Sequence, residues 1–198
     1  KAKRTEGILM AATMVFSFAL AIGIFMILPY FISDFLKRWV PSYTVRLILE
    51  GIIRIGIFVG YVALISLMRD IKRLYMYHGA EHKTVYCNEA GLELTPENAR
   101  QFSRLHPRCG TAFLFLVMFI SILIGAVADQ ILFALFGIEK LTFLGRILRS
   151  LLTLPIVTGV SYEVLKGLAH AGDSLIVCIL RWPGMMLQYL TTREPDDS

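Results

Sequence analysis

Long apolar runs dominate the chain, and short polar segments separate them. Four of these runs are long enough to cross about 30 Å of hydrocarbon as helices that rise about 1.5 Å per residue. We place the predicted transmembrane helices at about residues 7–32, 45–68, 111–136 and 147–171. The pattern therefore predicts an all-α membrane protein with four transmembrane helices in a single membrane domain, residues 1–198.

Two further segments complete the predicted fold. Residues 69–110 form the one sizeable polar loop, and we expect this loop to be structured. Residues 174–190 are apolar but are interrupted by Arg181, Pro183 and Gly184, which makes a fifth span unfavourable. We interpret this last segment as an interfacial or re-entrant helix.

Composition and charge agree with a membrane protein. Hydrophobic residues make up 56% of the 198 residues, and the mean hydropathy is +0.64, so apolar side chains must face lipid as well as a core. The net charge of +5 is modest, and the cations flank the apolar runs instead of clustering on one face. The lipid bilayer is thus the expected partner, and no specific DNA binding is predicted.

The distribution of lysine and arginine predicts the orientation in the membrane. These residues are concentrated at the N-terminus and in the loop of residues 69–110, and they are fewer in the other two loops. Because positively charged loops stay in the cytoplasm, we expect both termini and this loop to be cytoplasmic.

The loop begins with a motif typical of metal chemistry, His78-x-x-Glu81-His82. Two histidines one helical turn apart project from the same face and can share a metal ion, which is the arrangement of inverted zinc metallopeptidases. Glu81 lies beside that face, where a general base could take a proton from water. The alternatives are two interfacial histidines bound to neighbouring groups, and a glutamate that is a surface charge or orients a histidine.

The same loop ends with a second candidate pair in the stretch "HPRCGT". His106 and Cys109 have the spacing of a metal knuckle. A predicted short helix from Thr95 and Pro96 to about Leu105 could bring this pair back towards the first histidines. The alternative is a capping turn at the start of the third span, with Cys109 as a buried apolar residue.

A thiolate together with imidazoles favours zinc, so we predict Zn²⁺ bound by His78, His82, His106 and Cys109. Glu163, inside the fourth predicted span, is a less favoured ligand and more simply a polar anchor within the helix bundle.

Three stretches resemble the YqhQ-like family of bacterial multi-pass membrane proteins: "YHGAEHKTVYCNEAGLELTPENARQFSRLHPRCGTAFLF", "SYEVLK" and "WPGMMLQYLTTREPDD". The resemblance covers nearly the whole chain. It implies a protein of the bacterial cytoplasmic membrane with a domain of unknown function that is often labelled a metal-dependent enzyme.

Two hypotheses about function follow. In the first, the protein is a zinc-dependent hydrolase that acts on a membrane-proximal peptide or lipid. In the second, it is a non-enzymatic assembly factor whose metal-clamped loop docks a partner such as the translocation machinery or the ribosome. The number of protein ligands separates the two, because three ligands leave a position open for catalysis and four close a structural site.

Overall fold

The structure, a computed structural model, describes residues 2–138, 141–172 and 174–196, and all regular elements in these ranges are helices. The α-helices are α1 (Ala2–Ile22), α2 (Leu28–Phe35), α3 (Tyr43–Ile65), α4 (Arg69–Glu89), α5 (Pro96–Arg100), α6 (Gly110–Phe136), α7 (Phe143–His170) and α8 (Leu175–Thr191). Four helical stretches are long and apolar enough to cross a membrane, namely Thr5–Arg38, Tyr43–Ile65, Gly110–Phe136 and Phe143–His170. The predicted fold class, an all-α membrane protein, is confirmed.

The chain divides after Phe58 into two compact units. In the first unit, α1 and α2 form one helical stretch that widens to a π-helix at Gly23–Ile27, just before Pro29. Proline lacks an N–H and its ring crowds the carbonyl one turn earlier, which explains the widening at this place. The turn into α3 is held by Arg46, whose Nη1 donates to the carbonyl oxygens of Val40 and Pro41 at 2.6 and 2.7 Å.

In the second unit, α6 packs against α7 and α8. A buried ion pair joins α6 to α7, where Arg149 Nη1 lies 3.0 Å from Asp129 Oδ1 and donates to the Gly125 carbonyl at 2.8 Å. Gly184 of α8 lies directly against Ala112 of α6. Small residues at such a crossing let two helices approach closely, as is common between membrane helices.

α4 makes up the first half of the polar loop of the sequence, and it is not a straight continuation of α3. The second span ends at Ile65, three residues before its predicted end, and Met68 is extended at φ −69° and ψ 140°. The break gives α4 its own direction. Its buried residues follow helical spacing and form one face, consisting of Tyr75, Gly79, His82, Lys83 and Cys87.

The end of α4 and the short helix after it follow the local sequence. Gly91, at φ +69°, terminates α4 in the left-handed conformation that glycine tolerates best. The Thr95 side chain caps α5 by accepting a hydrogen bond from the Asn98 N–H at 3.3 Å, and Pro96 occupies the first turn, as predicted. α5 ends at Arg100, earlier than the predicted helix to about residue 105.

The contact between α6 and α8 generates a stability prediction. A Cβ added at Gly184 would lie 2.8 Å from the Ala112 Cβ and 3.3 Å from its Cα, neither of which can move without the helix. We expect Gly184→Ala to destabilise the protein by about 1–3 kcal/mol, the usual cost of overpacking. The measurement is thermal unfolding in detergent.

Gly167→Ala is the matched control, because a Cβ at this helical glycine of α7 meets no atom within 4 Å. We expect this control to be neutral or slightly stabilising. Equal stability of the two variants would contradict the close packing of α8 on α6.

Candidate metal centre

A histidine pair of α4 and a cysteine about thirty residues later in the chain meet beside the N-terminus of α6. His78, His82 and Cys109 each offer one ligand atom, and these atoms all lie within 4.8 Å of one another. α4 supplies the two histidines from successive turns, and the residue before α6 supplies the cysteine. His82 and Cys109 are buried, at 6% and 4% exposure. This group could hold a metal ion.

Backbone carbonyls fix the orientation of both imidazole rings. The Nδ1 of His78 lies 2.8 Å from the Thr191 carbonyl oxygen, and the Nδ1 of His82 lies 2.5 Å from the Arg104 carbonyl oxygen. A carbonyl can only accept, so in the neutral rings each Nδ1 carries the proton and each Nε2 keeps its lone pair. Metal-binding histidines in proteins are commonly oriented in this way.

Cys109 has two roles at this position. It is the N-cap of α6, where Sγ accepts from the Thr111 N–H at 3.4 Å, and its Sγ lies 3.4 Å from His78 Nε2. Burial opposes ionisation of the thiol, but hydrogen bonds with His78, His82 and Thr111 outweigh this effect and lower the pKa of Cys109 to about 5. His78 donates to the thiolate when its ring carries a proton on Nε2 as well as on Nδ1, and a metal ion would take the place of that Nε2 proton. The same hydrogen bond with Cys109 is the main reason that the pKa of His78 is raised. Because the thiolate is the metal-binding form, Cys109 is ready to ligate at neutral pH.

The spacing of the group suits zinc. Two ligands at about 2.0–2.3 Å from one tetrahedral ion are roughly 3.5 Å apart. The distance of 3.4 Å between His78 Nε2 and Cys109 Sγ already has this value. The remaining separations are no longer than 4.8 Å, so closing on an ion needs movements on the order of 1 Å.

A cavity of about 280 Å³ adjoins the three ligand atoms, and Glu81 lines it together with them. The Glu81 side chain is exposed and projects from the side of α4 next to both histidines. The catalytic role of Glu81 itself stays a prediction.

His106 was predicted as a fourth ligand, and the structure places it beside the group without including it. Its ring centroid lies 5.8 Å from that of His82 and 4.5 Å from that of Tyr86. Its Nδ1 accepts a hydrogen bond from the Arg108 N–H at 3.2 Å, and its Nε2 lies 3.6 Å from Glu89 Oε1. Burial is the main cause that lowers the pKa of His106, and the nearby Glu89 opposes it. Among the described residues, the group therefore has three members, and it adjoins the cavity.

Glu163, the less favoured candidate ligand, also lies outside the group of three. It is on an exposed side of α7 within the fourth candidate span.

We call residues 191–194 the 191–194 segment. Its part in the site is not among the predictions made from the sequence. Besides the contact from Thr191 to His78, the Arg104 guanidinium donates to Thr192 Oγ1 at 2.9 Å and to the Thr192 carbonyl. Glu194 lies 2.8 Å from Lys83 Nζ and 3.6 Å from Arg104 Nε. The segment therefore holds one histidine directly and the other through Arg104.

Gly79 allows the 191–194 segment to lie against α4. A Cβ at Gly79 would be 2.1 Å from the Arg193 carbonyl oxygen, and the Arg193 N–H donates to the Tyr75 carbonyl at 2.8 Å. A sequence signal for this contact existed in Gln188, Thr191 and Thr192, which are polar residues at helical spacing at the end of an apolar helix.

Comparison with known proteins supplies the family. The sequence model of the family described as "Protein of unknown function (DUF1385)" matches residues 1–198. The chain belongs to this family. "Uncharacterized protein YqhQ" of Bacillus subtilis (strain 168) is 31% identical over 199 residues, which are 98% of this chain and 59% of that protein. The predicted YqhQ-like family is confirmed.

The chain spans 59% of the length of this curated relative, so properties of the whole relative do not transfer to it directly. No solved structure matches the chain.

The contact at Gly79 generates a prediction about metal affinity. Gly79→Ala must displace the backbone of the 191–194 segment, and with it the Thr191 carbonyl that orients His78. We expect the affinity of the protein for zinc to fall at least about tenfold, the usual effect of losing a group that orients a ligand. Competition with a chromophoric chelator measures this affinity.

Gly159→Ala serves as the control, since a Cβ at this position of α7 has no atom within 4 Å. Unchanged zinc affinity in Gly79→Ala would show that the 191–194 segment does not orient the site.

Proposed function

We propose that this member of the DUF1385 family is a zinc-dependent hydrolase of the bacterial cytoplasmic membrane that cleaves a membrane-proximal peptide or lipid. The observation that carries the proposal is the group of three ligands, in which both histidine Nδ1 atoms are hydrogen-bonded to carbonyls and both Nε2 atoms remain for a metal. Catalytic zinc sites commonly have three protein ligands and a fourth position for water or substrate.

The donor set supports zinc over magnesium or calcium. One thiolate and two imidazoles are borderline-soft ligands, whereas magnesium and calcium prefer oxygen. The pKa of Cys109, lowered to about 5, means that the thiol needs no strong base to become this soft ligand.

A zinc ion held here would lower the pKa of water to about 7 and polarise a carbonyl oxygen. Glu81 supplies the proton transfer in this proposal. Its carboxylate accepts a proton from the attacking water while the new C–O bond forms at the carbonyl carbon. It then delivers that proton to the leaving nitrogen or oxygen as the C–N or C–O bond breaks. The cavity next to Glu81 is where the substrate would lie.

The location of the ligand group, at the end of a membrane helix, supports the proposal that the substrate lies at the membrane surface. Cys109 directly precedes the candidate span Gly110–Phe136, so the ligand group lies at the end of a membrane helix. Exposed apolar residues of α4, Leu74, Tyr77 and Val85, lie on the same helix as Glu81, and Val85 lines the cavity. An amphipathic surface of this kind suits the boundary between headgroups and water.

The contacts of the basic residues in the loop argue against the assembly-factor hypothesis. The loop cations that would suit an acidic or RNA surface on the translocation machinery or the ribosome are Arg100, Arg104 and Arg108. Arg104 instead binds the 191–194 segment, and Arg108 lies 2.5 Å from Glu89. Cations that already have carboxylate partners contribute less to an electrostatic docking surface.

Zinc analysis of purified protein and two variants tests the proposal. We expect about one zinc ion per chain in the wild type and a loss of zinc in Cys109→Ser, because hard oxygen replaces the soft thiolate. Glu81→Gln should keep its zinc but lose at least about a hundredfold in hydrolysis of a fluorogenic acyl ester or peptide, the usual contribution of a general base.

Exposed Glu97 lies outside the cavity lining, and Glu97→Gln is the matched control for Glu81→Gln. Zinc without hydrolysis in the wild type would favour a structural site and the assembly-factor alternative. A wild type that binds no zinc would contradict both hypotheses.

The proposed orientation, with both termini and α4 in the cytoplasm, has a separate test. In intact cells, a membrane-impermeant thiol reagent should label Ser42→Cys, between the first two candidate spans, and should label Glu93→Cys only after permeabilisation. Both positions are exposed, so accessibility on the protein itself is matched. Labelling of Glu93→Cys in intact cells would invert the orientation.

A further inference from the structure

His106 is a buried donor that lines the cavity without a hydrogen-bond acceptor. It is 5% exposed, and its Nε2 is buried with no hydrogen-bond partner among the described residues. Buried polar atoms are paired in the great majority of cases, so an unpaired one at a cavity requires an explanation. The same cavity is lined by Glu81 and by the three candidate ligands.

The hydrogen bond at the other ring nitrogen determines which nitrogen carries the proton. Nδ1 of His106 accepts from the Arg108 N–H at 3.2 Å, so the neutral ring carries its proton on Nε2. This is the opposite tautomer from that of His78 and His82, whose Nδ1 atoms are bonded to carbonyl oxygens. A protonated Nε2 donates hydrogen bonds and does not bind metal.

The backbone of His106 is held in place from α8. The His106 N–H donates to Gln188 Oε1 at 2.7 Å, and Gln188 Nε2 donates to the His106 carbonyl at 2.8 Å. Gln188 is fully buried, and the Tyr86 ring packs on the imidazole at 4.5 Å between centroids. A donor held this firmly needs little reorganisation to act.

Glu89 does not accept a hydrogen bond from the His106 Nε2–H. Its Oε1 is 3.6 Å from His106 Nε2, beyond hydrogen-bond range, and 2.5 Å from Arg108 Nη2. Arg108 therefore compensates the carboxylate charge, and the buried Nε2–H of His106, a residue that lines the cavity, is left without a hydrogen bond of normal length.

We propose that His106 is a catalytic hydrogen-bond donor, whose Nε2–H stabilises the negative charge that develops on the carbonyl oxygen of an ester or amide substrate. The role rests on the proposed hydrolase function and replaces the one predicted from sequence, a fourth metal ligand. It explains three observations together, namely the tautomer, the unpaired buried nitrogen and the position beside the group of three. Donors aimed at developing charge are a large source of catalysis.

Acetohydroxamate, a zinc chelator with a carbonyl oxygen, is the probe in the test. We expect His106→Leu to bind zinc within about threefold of the wild type but to bind acetohydroxamate at least about tenfold more weakly, because a hydrogen bond to a charged oxygen is lost. His106→Gln should recover part of the probe affinity, since its side-chain amide can donate. His170→Leu is the control, because His170 is exposed at the end of α7.

Histidine ¹⁵N NMR of the wild type gives a readout that does not depend on how the variants fold. In the zinc-loaded protein, Nε2 of His106 should remain protonated while Nε2 of His78 and of His82 becomes a ligand. Loss of the His106 Nε2 proton on zinc binding, or a tenfold loss of zinc affinity in His106→Gln, would make His106 a ligand and overturn the proposal.

Unchanged acetohydroxamate affinity in a folded His106→Leu variant would also overturn it. These outcomes differ from failure of the proposed function, in which the wild type itself would bind no zinc.

Discussion

The hydrogen bonds from His78 Nδ1 to the Thr191 carbonyl and from His82 Nδ1 to the Arg104 carbonyl are the constraint on which the site depends. Without them, the two imidazoles could rotate and present either nitrogen. With them, Nδ1 of each ring is engaged, and Nε2 is the nitrogen left to interact with Cys109 or a metal ion. Two backbone carbonyls, from elements distant in sequence, thereby convert a helical histidine pair into a possible metal centre.

These carbonyls must themselves be held, and polar contacts at the end of α8 do this. Gln188 binds both backbone groups of His106, and the Thr192 side chain binds the Arg104 guanidinium. Gln188 and Thr192 have no measurable exposure, so their polar atoms depend on these partners. A fully paired polar network is rigid, and rigidity beyond the ligands is what positions a reactive centre.

The membrane helices contribute to the site by position. α6 begins immediately after Cys109, and α8 reaches the loop because Gly184 lets it pack closely on α6. The centre therefore lies where an apolar bundle ends and a polar helix begins. Such a boundary brings water, a hydrophobic surface and a charged loop together, and the proposed reaction on a membrane-proximal substrate would need all three.

The four long apolar helices, the family and the cap of α5 by Thr95 could be predicted from sequence, because each depends on length, composition or neighbouring residues. The spacing of His78 and His82 likewise predicts a shared helical face. The tertiary structure determined the other features of the site. The sequence names Cys109 as a candidate partner of the histidines, but only the break at Met68 and the return of the chain decide that His106 has the opposite tautomer and that Thr191 orients His78. These contacts join residues far apart in the chain, so no local pattern encodes them.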